Sequence, residues 1–224
     1  MNDKQQVAEY AAKQIKNGMT IGLGTGSTAN YFIEALAQRQ QQEHLNITLV
    51  SSSITSSIKA QNLGLTLIAI EQISKLDLYV DGADEVAPDL TLLKGRGMDL
   101  VREKILAEAA EQFLVLVDNS KFVSHIGERF AIPIEVMPFA WQAVKHRLET
   151  VGATGSLRKT PSDAIFISAH GSVVLDMTFN NFSHAELNQL LNNTAGIVEH
   201  GIFYQLASTV LWADNGQLQQ WTKT

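Results

Sequence analysis

The chain has 224 residues, 45% of them hydrophobic and 18% charged, which suits one large domain, or a medium domain carrying a smaller one, around a sizeable core. Its formal net charge of −6 argues against non-specific binding to nucleic acid or to an anionic membrane, while leaving room for a local basic site that takes an anionic substrate. It contains no cysteine, which excludes disulfides, thiolate catalysis and cysteine-ligated metals and fits a reducing compartment.

Met1 to Lys16 is polar and amphipathic, without the apolar core of a signal peptide. No stretch approaches the roughly 18 uninterrupted apolar residues of a membrane span, so the cytoplasm is the expected location. Residues 3–17 predict a helix, with Val7, Ala11 and Ile15 at four-residue spacing and Asn17-Gly18 as its end. Met19 to Leu23 is a short strand. Ser27 is placed to cap a helix with Ala29, Phe32, Ile33 and Leu36 on one face. Ile47 to Val50 is a strand leading into Ser51, Ser52 and Ser53, followed by a helix around Thr55–Asn62 and strand-like residues from Leu65 to Ile70. Leu76 to Val80 is a strand ending at Asp81. Leu90 to Leu93 is extended and runs into a turn at Lys94-Gly95-Arg96-Gly97. Residues 98–112 predict a helix with Leu100, Val101, Ile105 and Ala109 on its buried side, and Phe113 to Val117 is an apolar strand. Strands alternating with helices imply a mostly parallel sheet covered on both faces.

The pattern changes after Ile132. Pro133 to Val136 is a short strand and Pro138 to Thr150 a helix. Ala164 to Ser168 and Val173 to Met177 predict a hairpin around His170-Gly171, Ser183 caps a helix, and Ile197 to Phe203 is a further strand. This β-α-β-β-α-β order predicts a small split βαβ domain. The expected division is 1–130 with 206–224 for the large domain and 131–205 for the small one, with Leu206 to Trp212 returning to the main sheet.

Gly24-Thr25-Gly26-Ser27-Thr28 lies between a strand and a helix. Glycines allow close backbone approach, and free N–H groups at a helix start favour an anion, so the turn suits a phosphate; it equally suits a tight turn that only caps a helix. A dinucleotide site is disfavoured, because Ser27 stands where the fingerprint needs glycine and the second strand ends in serines rather than an acid. Asp81-Gly82-Ala83-Asp84 follows an apolar strand, at the end where open α/β sheets place ligands, although Asp and Gly also favour plain turns and caps. Glu103, one turn after Asp99, belongs to the charged trio Arg102-Glu103-Lys104, which on an arbitrary helix is a solvated face. Lys121 follows the strand at 113–117, where a lone lysine is usually solvated. The six histidines show no metal-ligand spacing and are read as surface or structural residues.

The ordered set Gly24-Thr25-Gly26-Ser27-Thr28, Ser51-Ser52-Ser53, Asp81-Gly82-Ala83-Asp84-Glu85, Lys94-Gly95 with Gly97, and Arg102-Glu103-Lys104 closely resembles ribose-5-phosphate isomerase A. Asp118, Ser120-Lys121 and Pro133-Ile134-Glu135-Val136 resemble it as well, so the likeness covers nearly the whole chain. It implies a Rossmann-like α/β domain with a ferredoxin-like small domain. It implies aldose–ketose isomerisation of ribose 5-phosphate in the non-oxidative pentose phosphate pathway, with a sugar phosphate as the partner and no metal or organic cofactor. It implies Glu103 as the base, with Asp81, Asp84 and Lys94 assisting. Thr25, Gly26, Ser27, Thr28, Asp81, Gly82, Ala83, Asp84, Lys94, Gly95, Arg96, Gly97 and Lys121 then bind substrate, and Lys4 corresponds to a lysine near the phosphate. A homo-oligomer, dimer or tetramer, is implied too. The chain departs from the family at Arg96, where some members have glycine, at Met98-Asp99, and at Ile54. The competing readings are a sugar-phosphate deaminase or lactonase, a non-catalytic sugar-phosphate sensor, and an NAD-binding protein.

Overall fold

The structure, a computed structural model, describes residues 2–223. In chain order its elements begin with α1 (Asp3–Lys13), β1 (Thr20–Leu23), α2 (Ser27–Glu43), β2 (Thr48–Ser51) and α3 (Ile54–Asn62). Then come β3 (Leu76–Asp81), β4 (Glu85–Val86), β5 (Leu92–Leu93), α4 (Leu100–Ala109) and β6 (Ala110–Leu116). The rest are β7 (Ile132–Val136), α5 (Trp141–Glu149), β8 (Thr154–Leu157), β9 (Val173–Thr178), α6 (His184–Asn192), β10 (Ile197–His200), β11 (Ile202–Phe203), β12 (Thr209–Asp214) and β13 (Gln217–Thr222).

The chain divides into two compact units. One is Met1–Ala83, Arg102–Lys121 and Leu206–Thr224; the other is Asp84–Val101 and Phe122–Gln205. The second unit is thus larger than the stretch 131–205 expected from sequence. It takes in 84–101 because β4 pairs with β5 and β5 with β11, and it takes in 122–130 because Val123 N donates to Val86 O.

The first unit is built on a six-stranded sheet in the order β13-β12-β6-β3-β1-β2. All neighbours in it run parallel except β13, which lies antiparallel at one edge. Its central strands are unbroken buried runs such as Phe113 to Leu116, the pattern of a sheet covered on both faces. Asn2 caps α1 by accepting from Gln5 N at 2.8 Å. The helix lays Val7, Ala8, Ala11 and Ala12 into a core shared with Phe32, Ile33 and Leu36 of α2. It ends at Lys13, short of the expected Asn17-Gly18. Residues 65–70 form no strand beyond one bridge, Leu67 to Leu49. Strand order reverses at β1, which has β2 on one side and β3 on the other. In open α/β sheets, the crevice beyond the carboxyl ends at such a switch is where ligands bind.

The second unit carries β7-α5-β8-β9-α6-β10, whose strands form an antiparallel sheet in the order β10-β7-β9-β8, the split βαβ arrangement. Ile132, Ile134 and Val136 alternate into a core with Val144, Leu148, Leu187 and Leu191 from the two helices. Ser183 starts α6 with a reciprocal cap, its hydroxyl accepting from Glu186 N. β9 lies between β7 and β8, and β8 takes the place expected of 164–168. That stretch makes only the isolated bridges of Ile165 to Lys159 and Ile167 to Val173, and both isoleucines stay exposed. The single strand expected over 197–203 is split at Gly201, so that β10 joins β7 and β11 joins β5. Among the described residues, no helix is long and apolar enough to cross a membrane.

Candidate active site

In the first unit, the end of β1 and the end of β3 are locked together. Gly24 N donates to Val80 O at 2.8 Å, and a Cβ on residue 24 would lie 2.2 Å from the Asp81 carboxyl carbon. Only glycine permits that approach. Asp81 is wholly buried; its Oδ1 accepts from Thr25 N at 2.9 Å and Gly82 N at 2.7 Å, and its Oδ2 from the Tyr79 hydroxyl at 2.5 Å. Burial, and then the negative charges of Asp81 and Glu103, hold the Tyr79 pKa well above that of an ordinary phenol, so it remains a donor. Tyr79 escaped the sequence reading, although a polar residue two before Asp81 on one strand must share its face.

The turn itself is braced from the start of α3, just after β2. Thr25 Oγ1 donates to Ser53 Oγ at 2.6 Å, and Ser56 Oγ donates to Gly24 O at 2.7 Å. Both the N–H and the hydroxyl of Thr25 therefore hold the loop in shape. Ser27 is not the cap of α2 that the sequence suggests. Gly26 occupies the cap position with φ +117°, and Ser27 is the first helical residue. Its hydroxyl accepts from Lys4 Nζ at 3.1 Å. The N–H groups of the first turn of α2 have no acceptor within the helix, and the helix dipole is positive there. Lys4 adds a full charge beside them, and Lys121 sits in the 3-10 turn Asn119–Lys121 after β6. Between these lies Asp118, 3.7 Å from Lys4 Nζ. Partial burial raises the Asp118 pKa, but hydrogen bonds from Ser120 and the charges of Lys4 and Lys121 outweigh it and leave the carboxyl below its usual value. The start of α2 thus sets helix N–H donors and the Lys4 ammonium side by side.

Glu103 lies on α4, where the expected facing is corrected. Ile105 is 46% exposed and Val101 and Ala109 are partly buried, whereas Glu103, Lys104, Leu106 and Ala107 are buried with Leu100. Glu103 is 7% exposed and near enough to Tyr79 to act on its titration. It is not part of a solvated charged face.

In the second unit, Asp84 is half-buried and its N–H donates to Leu93 O at 2.8 Å. Glu85 is fully buried and accepts from the N–H groups of Gly127, Arg129 and Phe130 at 2.7, 2.7 and 2.9 Å. Lys94 is 4% exposed, its N–H donating to Gly201 O and its ammonium 5.6 Å from the centre of the Phe203 ring. The turn that follows is exposed from Arg96 to Met98, and the Arg96 guanidinium stacks 3.8 Å from the centre of the Phe130 ring. His184 Nδ1 lies 2.8 Å from Asp89 Oδ2, and His200 is buried with Nε2 2.9 Å from Asn192 Oδ1, both structural roles. Among the described residues, no cluster of three metal-ligating side chains occurs.

The predicted site residues thus fall into two sets. The first unit carries Thr25, Gly26, Ser27, Thr28, Asp81, Gly82, Ala83, Glu103 and Lys121; the second carries Asp84, Lys94, Gly95, Arg96 and Gly97.

A sequence profile described as ribose 5-phosphate isomerase A (phosphoriboisomerase A) matches residues 48–217. The chain is 41% identical to ribose-5-phosphate isomerase A of Thermosynechococcus vestitus, over 93% of this chain and 89% of that one. It is 40% identical to the Bacillus mycoides protein of the same name, over 96% and 98%. Among solved structures, ribose 5-phosphate isomerase A from Methanocaldococcus jannaschii superposes with a TM-score of 0.92 at 36% identity, covering 98% of both chains. A D-ribose-5-phosphate isomerase in complex with phospho-erythronic acid superposes with a TM-score of 0.93 at 34% identity, covering 99% of this chain and 100% of the other.

Proposed function

The chain belongs to the ribose 5-phosphate isomerase A family, and on that premise we propose which of its residues carry the reaction. It is an isomerase that interconverts D-ribose 5-phosphate and D-ribulose 5-phosphate. The chemistry moves a proton from C2 of the aldose to C1 through an enediolate, while the proton on O2 passes to O1. Glu103 takes the carbon-bound proton and returns it one carbon away, as a carboxylate sheltered from water can. The Lys94 ammonium and the backbone N–H groups of the turn that follows it donate to the enediolate oxygens as charge develops there. Asp84 holds sugar hydroxyls and assists ring opening. Asp81, whose oxygens are taken by Thr25, Gly82 and Tyr79, contributes by shaping the turn. Gly26, Ser27 and Thr28 at the start of α2, with Lys4 and Lys121, hold the phosphate, and that binding aligns the reacting carbons.

The observation that carries this reading is the burial of Glu103 beside Tyr79, on a helix whose sequence would otherwise turn it to water. The direct test is ketose formation from ribose 5-phosphate by the purified chain; an aldose pool that stays unchanged overturns it. A sensor module, a deaminase and a lactonase are not favoured, because the relatives that span the chain at about 40% identity are named as isomerases. We further propose that the protein works in the cytoplasm as a dimer or tetramer. Light scattering on the purified protein reads the assembly, and a monomer mass would refute it.

Lys4 provides a selective check on the phosphate end. Losing a charge-assisted hydrogen bond from a partly exposed lysine should raise KM for Lys4→Met by about tenfold. Its kcat should stay within a factor of about two, as expected of binding shared by ground and transition states. Steady-state kinetics separates the two, and an unchanged KM would remove Lys4 from the site.

A further inference from the structure

Arg158 leaves the end of β8 on the sheet face opposite α5 and α6, and its guanidinium sits between two structures. On one side it grips Asp176 of β9 in a bidentate fork, Nε to Oδ2 at 2.9 Å and Nη2 to Oδ1 at 2.6 Å. On the other, Nη1 donates to Gly95 O at 3.0 Å and to Gly97 O at 3.3 Å. The Arg158 side chain is only 13% exposed. One rigid, planar group therefore bridges a sheet strand to two carbonyls of the 94–97 turn, a geometry that arginine alone among side chains can supply. A third tie, Ala169 N to Met98 O at 3.0 Å, holds the same turn further along.

Each carbonyl belongs to a planar trans peptide whose N–H points the opposite way. Fixing Gly95 O toward Arg158 aims the Arg96 N–H away from it, and fixing Gly97 O does the same for the Met98 N–H. We propose that Arg158, locked by Asp176, is a positioning residue that sets the direction of these two backbone donors toward the reacting end of the substrate. The inference rests on the reading that the 94–97 turn faces the sugar. Arg158 makes no claim on the substrate itself.

The test compares Arg158→Lys, Asp176→Asn and Lys94→Met in the whole protein. Lysine keeps the charge but cannot span both carbonyls and both carboxylate oxygens. The expected result for Arg158→Lys is a kcat lower by about 10–100-fold with KM within about threefold, since small misplacements of catalytic groups cost on that order. Affinity for phospho-erythronic acid should fall about tenfold, while affinity for inorganic phosphate, which probes only the other end, stays constant. Asp176→Asn should shift the same quantities in the same directions and carries the test if Arg158→Lys does not fold. A variant with wild-type kcat per folded molecule, or one that loses phosphate affinity in parallel, overturns the inference. If Arg158→Lys is intact while Lys94→Met is crippled, the turn reading stands and the positioning role fails. If Lys94→Met has wild-type kinetics, the turn reading fails and takes the positioning role with it.

Discussion

Glu103→Gln should lower kcat by about 10²–10⁴-fold, the usual contribution of a positioned general base. Glutamine keeps the size and the hydrogen-bonding reach of glutamate but cannot accept the proton of a carbon acid. The side chain is 7% exposed, so water has little room to stand in for the missing base. KM should change far less, because the phosphate end of the site is untouched. A coupled assay for ribulose 5-phosphate, run beside a thermal melt, checks both halves. Wild-type turnover by the variant would contradict the assignment, and a collapsed melt would show a packing role instead.

Gly24→Ala should be the most damaging single methyl in the first unit. The new carbon would come within 2.2 Å of Asp81 Cγ and Oδ1, and that carboxylate is pinned by Thr25 N, Gly82 N and the Tyr79 hydroxyl. Nothing nearby is the free end of a flexible chain, so either β1 shifts or Asp81 loses its donors. A loss of roughly 3 kcal/mol is expected from overpacking, which for a chain of this size lowers Tm by roughly 6–12 °C. Activity should fall with it, since the turn proposed to hold the phosphate begins at the next residue. Gly97→Ala is the internal contrast. A Cβ there meets nothing within 4 Å, so Tm should hold even if turnover drops. Equal Tm for wild type and Gly24→Ala would show that the loop is softer than its geometry implies.

Much of this was legible in the sequence because the signals were local. The glycine-rich turn between a strand and a helix, the acid at the end of an apolar strand and the split βαβ order each follow from spacing over a few residues. The failures share a cause in tertiary packing. The pattern of α4 favours Ile105 as a core residue, yet the helix buries Glu103 and Lys104 and leaves Ile105 in water. Residues 164–168 alternate like a strand but make only isolated bridges, while β8, reading Thr-Gly-Ser-Leu and mostly exposed, flanks β9 on the side away from β7. The edge strand β13 is largely polar and gave no strand signal; only Leu218 and Trp221 of it are half-buried. Arg158 carries no signal in the sequence because its four acceptor atoms come from parts of the chain remote from it. The part of Thr25 in bracing its own loop is not legible in the sequence, because it needs Ser53 and Ser56 at the start of α3 in place.

The two units interrupt one another, so neither is a continuous piece of chain. Strand β6 gains its second neighbour only when β12 is made, after the whole of the four-stranded sheet. Until then the growing polypeptide carries an apolar ladder with one side bare, and pairings so remote along a chain close slowly. The first unit thus closes only after the second has been synthesised, and during that wait the bare ladder is the part of the nascent protein most open to misassembly.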